Sequence, residues 1–292
     1  MAKKYVLFVD SDCDVSLDEA NTYGAKFISM PYSEDDKEIY PYVDWKEFDH
    51  HAFYERLRKG KMSTTSALNA ENYKTYFEPV FKDGLDIVYA HFSSAMSASF
   101  DYMRTCVKEL LEKYPERKFY EIDAKGITIG AYNLVREVMI KYHEGLSAEE
   151  LVKYGEDNVQ KFAVYFFADN LKFFARSGRV TGIKAIMGKL FGIKPLIYMS
   201  AEGKMVSIGK AKSRKAALDA LVNYFDTLQE DAKDYPVVIA SSDNEELAHM
   251  LGDKIHEKFG EEYKIIYKQV NPTAGAHCGP DTIGISFRAK HR

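Results

Sequence analysis

The stretch "YVLFVD", Tyr5 to Asp10, decides the fold class. Its residues are almost all apolar, which is typical of a strand covered on both faces in a parallel sheet. Three further runs of this kind, at 25–30, 86–92 and 118–123, alternate with helical patterns at 45–59, 70–82, 98–113 and 128–143. Ser16 and Ser147 each precede a glutamate by three residues, which predicts the start of a helix. Strands alternating with helices predict an α/β fold.

The pattern changes after Gly145. The segment 193–212, "IKPLIYMSAEGKMVSIGKAK", predicts two antiparallel strands joined by a tight turn, a feature that the first half lacks. Helical patterns at about 213–230 and 244–259 flank another strand, "YPVVIAS". We therefore expect two domains. Residues 1–155 would contain a mostly parallel sheet flanked by helices, and residues 156–292 would form an α/β domain with a mixed or antiparallel sheet.

Composition narrows the class of protein. The 292 residues are 46% hydrophobic and 29% charged with a net charge of −4, which indicates a globular chain without the basic surface of a nucleic-acid-binding protein. No apolar run approaches 18 residues, so we expect a cytoplasmic protein with no stable membrane insertion and at most transient membrane contact. Cys13, Cys106 and Cys278 are far apart in sequence, which favours reduced thiols.

Two hydroxyl-rich stretches, at 62–73 and 90–100, follow predicted strands or precede predicted helices. Ligands bind to α/β sheets at such positions, and hydroxyls together with helix amides suit an anionic group. The candidates are Thr65, Ser66, Ser93, Ser94 and Ser97. A helix cap or a turn is the plainer interpretation for any single one of them. A serine hydrolase or a P-loop is not indicated, because both the G-x-S-x-G and the G-x-x-x-x-G-K-[ST] patterns are missing.

The segment "NPTAGAHCGPD", residues 271–281, places His277 between two glycine-bearing turns at Gly275 and Gly279. A histidine in a core needs no such turns, and a solvated tail needs neither glycine nor proline at this density. We expect a loop here that holds a ligand.

The remaining charged motifs are ambiguous. Asp10 and Asp12 could bind magnesium for phosphoryl transfer, although turn and cap roles are the plainer interpretation and no other metal site is indicated. Arg176 and Arg179 lie in "FFARSGRVTG", ahead of an apolar segment at 183–197. This segment could line a pocket for a hydrophobic ligand, or it could be an ordinary core helix.

Taken in order, these stretches resemble the DegV family, bacterial fatty-acid-binding proteins that act as the lipid-presenting subunit of fatty acid kinase. The stretch "TTSALN" is similar to the family's Thr-Ser-x-x-Ser loop, and "SSAMSASF" resembles its Ser-Ser-x-Leu-Ser-Gly-Thr-Tyr stretch. The stretch "FFARSGRV" looks like its Leu-x-x-Gly-Gly-Arg-Ile segment, and "GAHCGPD" resembles its Gly-Thr-His-x-Gly-Pro-Gly loop. The chain departs from the family pattern at Asn69, Ala98 and Asp281.

The resemblance implies a ligand cleft between the two domains, with a long-chain fatty acid buried in it, and no cofactor besides this ligand. The 271–281 loop would return to this interdomain site. A partner ATP-binding kinase subunit would phosphorylate the carboxylate, so this chain would need no catalytic nucleophile. The alternatives are a carrier of another apolar anion and the phosphotransferase that uses Asp10 and Asp12. We expect Asp281 to point outward and to cap the turn that follows it. The implied carboxylate-binding residues are Thr65, Ser66, Ser93, Ser94, Ser97 and His277, with Gly275 and Gly279 supporting the loop and Arg179 and Arg176 docking the partner.

Overall fold

The computed structural model describes residues 4–42, 48–183 and 192–292. Parts of the predicted helix at 45–59 and of the apolar segment at 183–197 lie outside these ranges. The strands of the described residues are Tyr5–Asp10 (β1), Lys26–Ile28 (β2), Tyr32–Glu34 (β3), Lys37–Ile39 (β4), Thr64–Thr65 (β5), Asp86–His91 (β6), Phe119–Asp123 (β7), Phe162–Phe167 (β8), Val180–Thr181 (β9), Lys194–Met199 (β10), Met205–Ala211 (β11), Val237–Ser241 (β12), Ile265–Gln269 (β13) and Ile283–Arg288 (β14).

The helices alternate with these strands and confirm the predicted α/β class. In the described residues they are Leu17–Tyr23 (α1), His50–Arg58 (α2), Ala70–Lys82 (α3), Ser99–Lys113 (α4), Ile129–Glu144 (α5), Ala148–Asn158 (α6), Leu171–Ser177 (α7), Arg214–Leu228 (α8), Glu245–Phe259 (α9) and Pro272–Cys278 (α10). The predicted capping boxes at Ser16 and Ser147 are both formed, and Asn69 caps α3 together with Asn72.

The first sheet contains four parallel strands in the order β2-β1-β6-β7. Leu7, Phe8 and Val9 of β1 are at most 1% exposed, because helices cover both faces of this strand. A small antiparallel sheet has the strand order β4-β3-β5, and its strands lie between β2 and β6 in the sequence. The apolar run Tyr5–Asp10 therefore forms a central strand of a parallel sheet.

The second sheet is mixed, with seven strands in the order β13-β12-β14-β8-β10-β11-β9. The predicted hairpin is present, since β10 and β11 pair in antiparallel register from Lys194–Ala211 to Met199–Met205. Strand β12 pairs parallel with β13 and antiparallel with β14. All strands of this sheet follow residue 156, whereas those of the other two sheets precede residue 155. The domain boundary between 155 and 156 itself stays a prediction.

Helix α5 joins the two main sheets, because it contacts strands of both. A Cβ atom at Gly130 would lie only 2.8 Å from Cγ1 of Val164, so the glycine allows α5 to pack closely on β8. The buried Asn133 donates a hydrogen bond from Nδ2 to Oγ of Ser286 in β14, at 3.0 Å. One continuous apolar core contains residues from both sheets.

Cys13, Cys106 and Cys278 are buried free thiols, as predicted. None of the helices in the described ranges is both long enough and apolar enough to span a membrane.

Candidate ligand cavity between the two sheets

A cavity of about 150 Å³ lies between the two main sheets. Residues of both halves of the chain line it, from Asp12 near the start to Gly284 near the end. Much of the wall is aliphatic or aromatic, and it includes four methionines, whose flexible side chains adapt to the shape of a bound molecule. These apolar wall residues include Met30, Phe92, Met96, Phe174, Met199 and Met205.

Hydroxyl, imidazole and guanidinium groups also line this cavity. Nε2 of His277 lies 3.0 Å from Oγ1 of Thr65, and both residues belong to the wall. Ser66 is part of the wall too, and its Oγ lies 3.1 Å from Oγ of Ser33. Arg179 lines the cavity as well, although its side chain is exposed to solvent. The wall thus combines an apolar surface with a cluster of polar groups that reaches the protein surface.

The segment that carries His277 is a helix rather than the predicted loop. Pro272 occupies its first turn, and the side chain of Asn271 caps it by accepting a hydrogen bond from N of Ala274, at 2.9 Å. Asparagine followed by proline is a favourable helix start, because proline lacks the amide hydrogen that would have no partner there. Asn271 also donates from Nδ2 to Oδ1 of Asp14, at 2.8 Å, which ties α10 to the turn after β1.

Gly275 and Gly279 allow α10 to approach its neighbours closely. A Cβ atom at Gly275 would lie 2.5 Å from Oη of Tyr54 in α2. Gly279 has φ of +71°, and a Cβ atom there would lie 2.2 Å from Cδ2 of Phe173 in α7. Both positions therefore need glycine, one for space and the other for space and backbone conformation.

The imidazole of His277 is neutral near pH 7 in the ligand-free protein. Burial, followed by the positive charges of Arg179 and Arg176, lowers its pKa to about 4. A neutral imidazole has one donor and one acceptor nitrogen. His277 can therefore donate one hydrogen bond to an anion without itself being charged.

The serines after β6 do not all face the cavity. Ser97 lines it, but Ser93 and Ser94 do not. The hydroxyl of Ser93 donates to the carbonyl oxygen of Gly203 at 2.7 Å, and that of Ser94 donates to Oδ2 of Asp123 at 2.6 Å. The short 3₁₀ turn at 94–96 and the residue before it place these two hydroxyls against the β10–β11 turn and β7, and their role in carboxylate binding stays a prediction.

The two arginines also differ in their surroundings. Nη2 of Arg176 donates to the carbonyl oxygens of Ser63 and Ala276, at 2.8 and 3.0 Å, so this guanidinium joins α7 to the segment before β5 and to α10. Arg179 lies on the cavity wall instead. Docking of a partner by either residue stays a prediction.

The acids after β1 have separate roles. Asp10 accepts hydrogen bonds from Oη of Tyr89 at 3.0 Å, from N of Phe92 at 3.3 Å and from N of Asp12 at 3.0 Å. Burial raises the pKa of Asp10 to about 6. These contacts favour a structural role over metal binding. Asp12, in contrast, lines the cavity.

Asp12 and Thr128 are among the polar wall residues that the sequence did not identify as parts of the pocket. Asp12 is visible as an acid, but its position in the cavity wall depends on the turn geometry after β1. Thr128 has φ of +54°, a conformation that threonine rarely adopts, and its amide donates to the carbonyl oxygen of Asp12 at 2.7 Å. No residue pattern in the sequence signals that backbone conformation.

Asp281 does not line the cavity, in agreement with the expected outward orientation. Its Oδ1 accepts hydrogen bonds from Nδ2 of Asn244 at 2.8 Å and from Nη2 of Arg58 at 3.2 Å. The predicted capping contact is therefore replaced by contacts with α2 and with the start of α9. The residue has φ of +61°, consistent with the glycine of the family pattern at this position.

The fold and the site together define a class, the α/β proteins with a ligand cavity between the segments that follow the strands of a parallel sheet and the strands of a mixed sheet. The chain belongs to the DegV family, because a family model described as "Uncharacterised protein, DegV family" matches residues 4–290. A DegV domain-containing protein of Clostridium perfringens is 30% identical over 285 residues, which cover 98% of this chain and 97% of that protein.

Solved structures of the family have the same fold. A DegV family protein of Thermus thermophilus, described for its fatty acid binding, superposes with a TM-score of 0.84 at 18% identity, covering 98% of this chain and 99% of that one. A stearic-acid-binding protein of Eubacterium ventriosum has a TM-score of 0.83 at 20% identity, with 98% of each chain covered. DegV of Bacillus subtilis, described as a fatty acid binding protein, has a TM-score of 0.82 at 20% identity, with coverages of 99% and 100%.

Proposed function

We propose that this protein binds a long-chain fatty acid, with the tail in the apolar part of the cavity and the carboxylate beside Thr65, His277 and Arg179. The observation that carries the proposal is the contact of 3.0 Å between Thr65 and His277 in the wall of a cavity that is otherwise rich in apolar side chains. The ligands named for the similar solved proteins support this class of ligand.

The two ends of the ligand would have different energetic roles. Burial of about 14 methylenes at about 0.8 kcal/mol each gives roughly 11 kcal/mol before the cost of ordering the ligand. A carboxylate removed from water loses several kcal/mol unless hydrogen bonds replace its hydration. The Thr65–His277 hydrogen bond uses one hydrogen, so this pair can donate one further bond to the carboxylate, from the hydroxyl or from the imidazole according to the tautomer, and Arg179 adds positive charge. The tail thus supplies affinity, and the polar groups orient the carboxylate.

The bound carboxylate would be presented to an ATP-dependent kinase subunit in the cytoplasm. One carboxylate oxygen attacks the γ-phosphorus of ATP, the bond to the bridging oxygen breaks, and acyl phosphate and ADP form. Catalysis of this kind depends on position and charge stabilisation, and the partner would bring both nucleotide and magnesium. In this proposal no residue of the present chain is a catalytic nucleophile.

The first experiment is organic extraction of the purified protein followed by mass spectrometry, and a stoichiometric fatty acid is the expected result. In a reconstituted system with the kinase, His277→Ala and Thr65→Ala should lower acyl-phosphate formation by a larger factor than they lower fatty-acid affinity. Ser94→Ala is the comparison variant, because its hydroxyl bonds to Asp123 rather than lining the cavity. If both site variants lost most of their lipid while the remaining bound fraction reacted normally, the orienting role would be wrong.

Docking of the kinase is tested by reversing the charge at the exposed Arg179. Charged residues beside an apolar entrance steer a partner more than they add affinity. Arg179→Glu should therefore slow turnover, more strongly at low salt, because salt screens such contacts. Lys153→Glu, in α6 and away from the cavity wall, is the matched control. Equal turnover of the two variants at every ionic strength would exclude Arg179 as a docking residue.

A further inference from the structure

One polar group in the cavity wall is not explained by binding of a plain fatty acid. Asp12 is only 2% exposed and lines the cavity, and its Oδ1 has no hydrogen-bond partner among the described residues. A buried polar atom without a partner has a free-energy cost. An alkyl chain placed against it would leave that cost in the complex.

The carboxyl group of Asp12 is also unlike its neighbours in the same turn. Asp10 has three hydrogen-bond donors around it, and Oδ1 of Asp14 accepts two hydrogen bonds from Asn271 at 3.1 and 2.8 Å. Oδ2 of Asp14 also has no partner among the described residues, but Asp14 does not line the cavity. Burial, followed by the charges of Asp10 and Asp14, keeps the pKa of Asp12 well above its usual range. A protonated carboxyl has both a donor and an acceptor oxygen, so it can pair with a hydroxyl group.

The position of Asp12 relative to helix α10 indicates where the hydroxyl group of such a ligand would lie. Asn271, which caps this helix, hydrogen-bonds to Asp14 in the turn that carries Asp12, and Thr273 lines the cavity four residues before His277 in the same helix. Four residues of α-helix span about 6 Å. Asp12 is therefore near the opposite end of α10 from His277, within reach of the part of the tail that lies closer to the carboxylate.

We propose that Asp12 recognises an oxygen-bearing tail, so that the preferred ligand is a hydroxy fatty acid with its hydroxyl group in the half of the chain nearer the carboxylate. The inference rests on the proposed fatty-acid binding and adds the ligand subclass. A site with a buried polar group discriminates against an analogue that lacks the matching hydroxyl, because the protein group is then left without a partner.

The test uses the delipidated protein and titrates it with octadecanoic acid and with positional isomers of hydroxyoctadecanoic acid. At least one isomer with the hydroxyl in the carboxyl-proximal half should bind at least about tenfold more tightly than octadecanoic acid. Asp12→Leu should abolish this preference and bind octadecanoic acid at least as tightly as the natural chain does. Asp12→Asn should retain the preference, because an amide also donates and accepts.

Asp14→Asn is the matched control, since Asp14 is a buried acid of the same turn that does not line the cavity, and it should keep the preference. If octadecanoic acid binds the natural chain as tightly as every hydroxylated isomer, the role of Asp12 is refuted while fatty-acid binding stands. If none of the acids binds, the proposed function fails and this inference fails with it. A preference that persists in Asp12→Leu would also overturn the assignment.

Discussion

Acidification should destabilise the ligand-free protein through His277 in particular. The pKa of this imidazole is about 4 in the folded chain and about 6.5 in an unfolded one. Between these values the unfolded state binds more protons, so the free energy of unfolding falls as the pH falls. The contribution is fully present above about pH 6.5, and the difference of about 2.5 pH units corresponds to about 3 kcal/mol by about pH 4.

The buried acids Asp10 and Asp14 titrate over a similar range, with raised pKa values of about 6 and about 7, and they act in the opposite direction. The measurement is therefore a difference between natural chain and His277→Gln, whose side chain cannot ionise. We compare the free energy of unfolding of the two delipidated proteins in urea across this pH range. The value of the natural chain minus that of His277→Gln should decrease by about 3 kcal/mol as the pH falls.

Thr65→Val distinguishes the effect of burial on the pKa of His277 from the effect of its hydrogen bond to Thr65. It removes the hydroxyl 3.0 Å from Nε2 of His277 but keeps the imidazole, and burial is the largest cause of the lowered pKa. This variant should therefore keep most of the pH dependence. Stability curves of the natural chain and His277→Gln that stay parallel from neutral to acid pH would refute the reasoning, as would an imidazole NMR titration with a midpoint near 6.5.

Other substitutions test the packing around α10 and between the sheets. Gly279→Ala should lower the free energy of unfolding by about 2–4 kcal/mol in urea titration, because positive φ and overlap with Phe173 both oppose a side chain. Asp281→Gly should change fatty-acid affinity less than about threefold in a binding titration, because Asp281 is not part of the cavity wall. Asn133→Ala should cost about 1–3 kcal/mol in urea titration, because it leaves the buried Ser286 hydroxyl without its partner.

The alternation of strands and helices was determined by the sequence itself. Buried parallel strands such as "YVLFVD" are apolar throughout, and helix starts such as Ser16 and Ser147 carry their capping residues locally. The hairpin at 194–211 follows from a short turn between two strands. Such features depend on contacts within a few residues, so they can be predicted from spacing alone.

The direction of each polar side chain was decided only by the tertiary structure. Thr65 and His277 are 212 residues apart in sequence, and their contact exists because α10 packs beside β5. Ser93 and Ser94 belong to the same serine cluster as Ser97, yet their hydroxyls bond to groups that other strands and turns bring near. The sequence shows which chemical groups can bind a ligand. Long-range packing determines which of these groups line the cavity and which form hydrogen bonds within the protein.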